Sequence, residues 1–128
     1  MPSPKYRVHI ENLRARPLVY HVTPERWAAA CARHRALARR VEASIGWDGE
    51  TLDRALGTTD FLIGIRTRLE RLAERAPRLK WVHVTMAGVD RFLPLDWLPP
   101  GVPLTNNHGA HGAKAEEYMR MAYALLNS

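Results

Sequence analysis

No disulfide can form within this chain, because Cys31 is its only cysteine. That fits a reducing compartment without requiring one. Cys31 falls on the apolar face of a predicted helix, where it reads as a small buried hydrophobe rather than a nucleophile. Long apolar runs are also missing. Phe61-Leu62-Ile63 belongs to one of the longest, far short of the roughly 20 residues a membrane-spanning helix needs. Met1-Pro2-Ser3-Pro4-Lys5 carries no apolar segment of signal type. The expectation is a cytoplasmic protein with no membrane contact. Gly-x-Gly occurs nowhere, so the usual glycine turn for a dinucleotide pyrophosphate is absent from these residues. A P-loop and a Ser-centred elbow are absent too. His108 and His111, with Glu116 and Glu117 nearby, make no recognised zinc frame, and no cysteine helps them.

What is present suits one ordinary globular domain. The chain has 128 residues, 46% apolar and 25% charged, a balance that argues against disorder. The net charge is +6, and arginine supplies 16 of the 19 basic residues. These arginines are spread over several elements and interleaved with Glu and Asp, without a dense basic run or an aromatic-rich basic motif. Solvated helix faces are therefore expected, and no nucleic-acid partner.

Strand and helix patterns alternate along the chain. Tyr6, Val8 and Ile10 alternate with Arg7, His9 and Glu11, the period of a half-buried strand. Residues 18–22 form a second short run that can pair with it as a hairpin. Thr23-Pro24-Glu25 opens a helix, since Thr caps, Pro suits the first helical position and Glu suits the positive end of the dipole. Trp27, Ala30, Cys31, His34, Leu37 and Val41 follow at helical spacing, with His34 read as a packed or edge residue. Residues 41–45 suggest a strand, and 50–56 a short helix with Gly57 as its C-cap. The run 61–65 is continuously apolar, as in strands covered on both faces. A helix is predicted over 67–76 and a strand over 79–84. A Pro-rich irregular stretch then leads to a short edge strand at 102–105 and a helix over 113–127. This is an α/β pattern with a mainly parallel sheet and helices on both faces.

The most distinctive stretch lies in the second half. It contains Leu79-Lys80-Trp81-Val82, Ala87-Gly88-Val89-Asp90, Thr105-Asn106 and Ala115-Glu116-Glu117, in that order. This ordered set resembles the substrate-binding domain of the D-isomer-specific 2-hydroxyacid dehydrogenases; residues 5–75 agree only in their alternation. The resemblance implies a flavodoxin-like fold, a small 2-keto or 2-hydroxy acid as substrate, NAD or NADP as cofactor, and a homodimer. It implies that backbone amides of Met86, Ala87 and Gly88 hold the substrate carboxylate. A nest of successive N–H groups suits an anion, and glycine allows the conformation and the close approach. Asn106 and the loop from His108 to His111 are expected near the interdomain cleft, with His111 lining it. Asp90 is expected to cap its turn. Arg66, just past the 61–65 strand, is placed either to attract an acid at the sheet edge or as a surface residue at a helix start.

The family's catalytic Arg, Glu and His lie in its nucleotide-binding domain, and none maps onto this sequence. The resemblance thus implies that residues 1–128 are a substrate-binding domain cut within its last helix, inactive alone. Glu116 and Arg120 depart from the family's apolar helix pattern and put the interdomain packing in question. Two other readings stay open: a free-standing small-carboxylate binding module, and a dimerisation domain using the terminal helix.

Overall fold

The computed structural model describes residues 5–110 and 112–127. Strand β1 (Tyr6–Asn12) runs through a five-stranded sheet, with β2 (Val41–Trp47) on one side and β3 (Phe61–Ile63) on the other. Beyond β3 lie β4 (Trp81–His83) and β5 (Leu104–Thr105). Every pairing is parallel, in the order β2-β1-β3-β4-β5. This is the flavodoxin-like arrangement of an α/β fold. The winding direction reverses between β1 and β3, and open sheets of this kind bind ligands beyond the strand C-termini at such a switch.

One face of the sheet carries the main core. His9 is in register with Leu62, and Leu62 with Val82. The apolar members of this row join Val84, Ile65 and Phe92, together with Leu52 and Leu56 of α3 (Leu52–Leu56) and Leu72 of α4 (Leu72–Arg75). Shortening a fully buried leucine such as Leu56 or Leu62 to alanine costs about 2–5 kcal/mol at sites of this kind. The opposite face presents Tyr6, Phe61, Trp81 and His83, whose rings follow one another at 5.1, 5.8 and 5.9 Å. Helix α1 (Pro24–Arg33) and the single turn α2 (Arg35–Ala38) lie over part of this face, where Trp27 and Leu37 share a groove with Tyr6, Val8 and Val41. The start of α1 follows the sequence: Thr23 Oγ1 accepts the Arg26 N–H at 3.2 Å, and Pro24 takes the first turn.

Several expectations need correction. The alternation in β1 implied one solvated face. Instead His9, Glu11 and Asn12 are buried alongside Val8 and Ile10, because α3 and the turn before it cover the face that His9 and Glu11 present. The polar members are satisfied internally. His9 bonds Ser44 Oγ through Nδ1 at 2.7 Å and Glu11 Oε1 through Nε2 at 3.0 Å, and Glu11 Oε2 accepts the Gly49 N–H at 2.6 Å.

The N-terminal hairpin does not form. Leu18–Tyr20 is a 3-10 turn with Leu18 and Val19 exposed, and both edges of β1 are already taken by parallel strands. The helix expected over 67–76 shrinks to α4, since Arg68 and Arg71 adopt φ values of 59° and 55°. Arg75 donates to the carbonyls of Arg68 and Glu70 at 2.6 and 3.0 Å, so a side chain replaces the backbone donors of the missing turns. Cys31 is only partly buried and His34 is an exposed residue closing α1. Helix α5 (Gly112–Leu126) forms as expected but buries no residue, and Tyr118, Met119 and Tyr123 on it are exposed. No helix among the described residues is long and apolar enough to cross a membrane.

Gly57 caps the C-terminus of α3 as expected, but with φ −58° and nothing within 4 Å of an added Cβ it does not need to be glycine. Gly64 is the demanding position, with φ +87° and the Glu11 carbonyl well inside contact distance of any added Cβ. Gly64→Ala is therefore expected to cost more than about 1 kcal/mol, and Gly57→Ala to be neutral or stabilising by up to about 1 kcal/mol. Urea denaturation of the two variants checks the contrast; equal effects would contradict this account of the β1–β3 junction.

Candidate functional site

The C-terminal edge of the sheet is built from the segments leaving β1, β3, β4 and β5. The segment after β1 is clamped at several points. Asn12 Oδ1 accepts the Val22 N–H at 2.9 Å while its Nδ2 donates to Val22 O at 3.0 Å, closing the loop at its base. The His21 ring bonds Leu13 O at 2.9 Å, and the Arg26 guanidinium donates to Leu18 O and His21 O, each at 2.8 Å. On the outer side, the Arg14 N–H and guanidinium donate to Asp48 at 3.0 and 2.8 Å, and the guanidinium also pairs with Glu50. These clamps hold Arg16 across the edge. Its Nη1 donates to Thr85 Oγ1 just past β4, at 3.2 Å, and its Cζ lies 3.9 Å from the Tyr20 ring centroid.

The turn after β4 contains Met86, Ala87 and Gly88. Two of its three carbonyls are engaged: Met86 O accepts the Asn107 N–H at 3.0 Å, and Ala87 O accepts from Asn106 Nδ2 at 2.7 Å. The N–H groups of Met86, Ala87 and Gly88 donate to no described atom. A turn with tied acceptors and unused donors can receive an anion. Gly88 does not use glycine's special freedom, however. Its φ is not positive, and a Cβ there would meet nothing within 4 Å. The fold itself thus permits a side chain at Gly88, and the space above the turn is open.

Asn106 lies beside this turn and braces it, since its Oδ1 also accepts the His108 N–H at 3.2 Å. It positions the turn and its own loop. His83 braces the same loop from the sheet, bonding Thr105 Oγ1 at 2.7 Å and Asn107 Oδ1 at 2.9 Å. Asp90 begins a 3-10 turn (Asp90–Phe92), but no side chain caps it, contrary to expectation. His111 falls outside the described residues.

Arg66 reaches this edge from the end of β3. It is partly buried, and no described carboxylate pairs with it. Burial first, and then the charges of Arg16 and Arg91, hold its guanidinium below the usual arginine range, with only the Tyr20 hydroxyl acting the other way. An arginine so placed stays cationic at physiological pH. The structure thus brings Arg66, the Met86–Gly88 turn and Asn106 to one edge, and adds Arg16 and Arg91. Those two lie in irregular segments without a motif. The one available signal was their position just beyond predicted strands, on the side where α/β sheets bind ligands.

Other polar clusters lie elsewhere. A hollow of about 410 Å³ opens between β1, β2 and α3, lined by Arg7, Ser44, Thr51, Arg54 and Thr59, away from the Met86 turn. Asp60 is buried, with Oδ2 accepting the Arg7 N–H at 2.8 Å and Oδ1 only 3.6 and 3.8 Å from Arg78 and Lys80. No group of three potential metal ligands occurs among the described residues. Nor do they fit a dinucleotide, which needs a glycine turn leading straight into a helix. Here β1 ends in the buried Glu11 and Asn12, and α1 starts only at Pro24. Compared with known proteins, the chain matches no family model, no curated protein and no solved structure.

The Arg14–Asp48 clamp carries a pH signature. The Arg14 N–H first, and then its guanidinium, hold the Asp48 carboxyl below its ordinary range. A carboxyl lowered in the folded state adds stability above its unfolded value of about 3.9, and that contribution fades as pH falls through the lower folded value. Urea midpoints of wild type and Asp48→Asn should therefore differ at pH 6 and converge on acidification towards pH 2. A gap that does not change with pH would show that Asp48 contributes no linked charge.

Proposed function

We propose that this chain is the acid-binding domain of an NAD(P)-dependent oxidoreductase that interconverts 2-keto acids and D-2-hydroxy acids. The observation that carries the reading is the turn at Met86, Ala87 and Gly88, whose N–H groups have no described partner while two of its carbonyls are tied down. Its place at the C-terminal edge of a parallel sheet, with Arg16 tied to Thr85 just before it and Arg66 leaving β3 at the same edge, suits a small carboxylate. In this reading the backbone donors hold the carboxylate, Asn106 and His83 keep the turn in place, and the arginines raise the local concentration of acid. His111 belongs to the same proposed site on sequence grounds alone. The hydride chemistry, its nicotinamide and the catalytic Arg, Glu and His belong to a nucleotide-binding domain beyond these residues, so the chain by itself binds without turning over. The exposed Tyr118, Met119 and Tyr123 on α5 offer an apolar surface for that domain or for a second copy in a homodimer.

A second reading rests on the same turn: a free-standing module that binds small carboxylates. Two measurements separate the possibilities. In an amide-resolved NMR titration of the chain with 2-oxobutyrate, both readings expect shifts centred on Met86, Ala87 and Gly88. Their absence at high millimolar acid would overturn both. Reading the gene past the Ser128 codon then decides between them. A continuation with a Gly-x-Gly-x-x-Gly turn and candidate Arg, Glu and His residues supports the dehydrogenase, and an immediate stop codon supports the module.

A further inference from the structure

The hollow between β1, β2 and α3 holds a chain of three side chains that the acid-binding reading does not use. Ser44 on β2 is exposed and lines this hollow, and its Oγ lies 2.7 Å from Nδ1 of His9. His9 is 1% exposed, and its Nε2 lies 3.0 Å from Glu11 Oε1. The other Glu11 oxygen accepts the Gly49 N–H at 2.6 Å. Strand register sets this line. His9 and Ser44 are partners on adjacent parallel strands, and Glu11 follows His9 by two places, on the same face. Gly46 leaves the room: a Cβ there would lie 2.7 Å from Thr51 Oγ1, 2.9 Å from Glu11 Oε1 and 3.0 Å from the His9 ring.

The acid fixes the direction of each hydrogen bond. An ionised carboxylate can only accept, so Nε2 of His9 carries a proton. In the neutral imidazole the lone pair is then on Nδ1, and the Ser44 hydroxyl donates to it. A hydroxyl aimed at an imidazole base, with that ring oriented by a carboxylate, is the arrangement of an activated nucleophile. Either ring nitrogen serves as the base, provided the other one carries the proton. The base and the acid are buried, whereas the hydroxyl sits at the open end of the chain, in a hollow of about 410 Å³. Thr51 and Arg54 line the same hollow, so side-chain donors are at hand for an oxyanion formed there.

We propose that Ser44 is a nucleophile towards small carboxylic esters, with His9 as its base and Glu11 as the residue that positions the ring. Ser44 Oγ adds to the ester carbonyl carbon as its proton passes to His9 Nδ1. The alkoxy group leaves with that proton as the alcohol, and the acyl group stays on Ser44. Water then attacks the acyl carbon and gives a proton to His9. The carboxylic acid departs as Ser44 Oγ takes that proton back. The net reaction is ester plus water to acid plus alcohol, and no step depends on the Met86–Gly88 turn.

The test treats the whole chain with an alkyl fluorophosphonate at pH 8 and locates adducts by peptide mass spectrometry. Ser44 Oγ displaces fluoride at phosphorus, so a stable adduct is expected on Ser44. It should form at least about a hundredfold faster than on a blocked serine amide in the same solution, the lower end of general-base assistance. Ser44→Ala, at an exposed position, should remove the adduct and lower p-nitrophenyl acetate hydrolysis by roughly tenfold or more. Glu11→Gln keeps an acceptor for the Gly49 N–H, but its amide N–H faces His9 Nε2 and selects the other tautomer. Labelling of that variant should slow by about a hundredfold or more. Nitrogen-15 NMR of the histidine rings reads the cause, with Nδ1 of His9 unprotonated in the wild type and protonated in Glu11→Gln. A Glu11 of purely structural importance would leave labelling of the folded variant unchanged. Dispersed amide spectra establish folding, and should Glu11→Gln fail to fold, the wild-type tautomer and the Ser44→Ala contrast still decide. Labelling of Ser44 no faster than the blocked amide, a wild-type His9 with its proton on Nδ1, or ester hydrolysis unchanged in Ser44→Ala each overturns the proposal. All of these outcomes leave the acid-binding reading untouched, because they do not involve Met86, Ala87 or Gly88.

Discussion

The arrangement of this sheet depends on how Glu11 is held near the end of β1. One carboxylate oxygen faces His9 Nε2 at 3.0 Å and the other accepts the Gly49 N–H at 2.6 Å, so the group ties β1 to the turn that follows β2. Its carbonyl lies where a Cβ on Gly64 would fall, and only a glycine lets the end of β3 pass so close. A carboxylate with little access to water is costly unless its oxygens find donors, and both do here. Removing the side chain would leave the Gly49 N–H and the buried His9 without their partner. The Glu11 side chain thus fixes β1 against the turn after β2, while at the β1–β3 junction, where the winding reverses, its backbone carbonyl demands glycine at 64.

From that junction the polar groups divide by location. On the face packed against α3 and α4, His9 is satisfied by Ser44 and Glu11 and Thr59 by the Ala55 carbonyl at 2.8 Å, while buried Asp60 Oδ1 makes no hydrogen bond and lies 3.6 and 3.8 Å from the Arg78 and Lys80 charges. Beyond the strand ends the balance shifts. Donors at Met86, Ala87 and Gly88 lack described partners, while the Met86 and Ala87 carbonyls are pinned by Asn107 and Asn106.

Much of the architecture was legible in the sequence. The continuous apolar run at Phe61-Leu62-Ile63 and the Thr23-Pro24-Glu25 helix start reported local physics that tertiary contacts did not override. Where the reading failed, a longer-range term won. Alternation in residues 6–11 described which side chains share a face, but the burial of His9 and Glu11 follows from α3 and the turn after β2 covering that face, with partners Ser44 and Gly49 far along the chain. The helix over 67–76 lost its first turns to left-handed Arg68 and Arg71 and to carbonyl bonds from Arg75, none of which periodicity encodes. At the site, the Met86–Gly88 turn and Arg66 were visible because each follows a recognisable strand. Arg16 and Arg91 were not, because their meaning arises only once separate loops converge.

The openness of this edge bears on what it can do alone. Ala87, Gly88 and Arg91 are exposed and Arg16 is only partly buried, so an acid there stays in contact with water. Charges in water attract weakly: an exposed ion pair is worth about 0–1 kcal/mol, and salt screens it over about 8–10 Å. The same guanidinium groups become far stronger partners once a covering surface excludes solvent and lowers the local dielectric. A preorganised but uncovered set of donors therefore suits one half of a cleft. In the proposed enzyme an acid would be held loosely at first and firmly on closure, and the surface that closes over it would also bring the reacting cofactor. The conformational cost of arranging Arg16 and the turn is already met within the fold, through Asn12, Arg26 and Asn106, so closure need supply only desolvation and the remaining contacts.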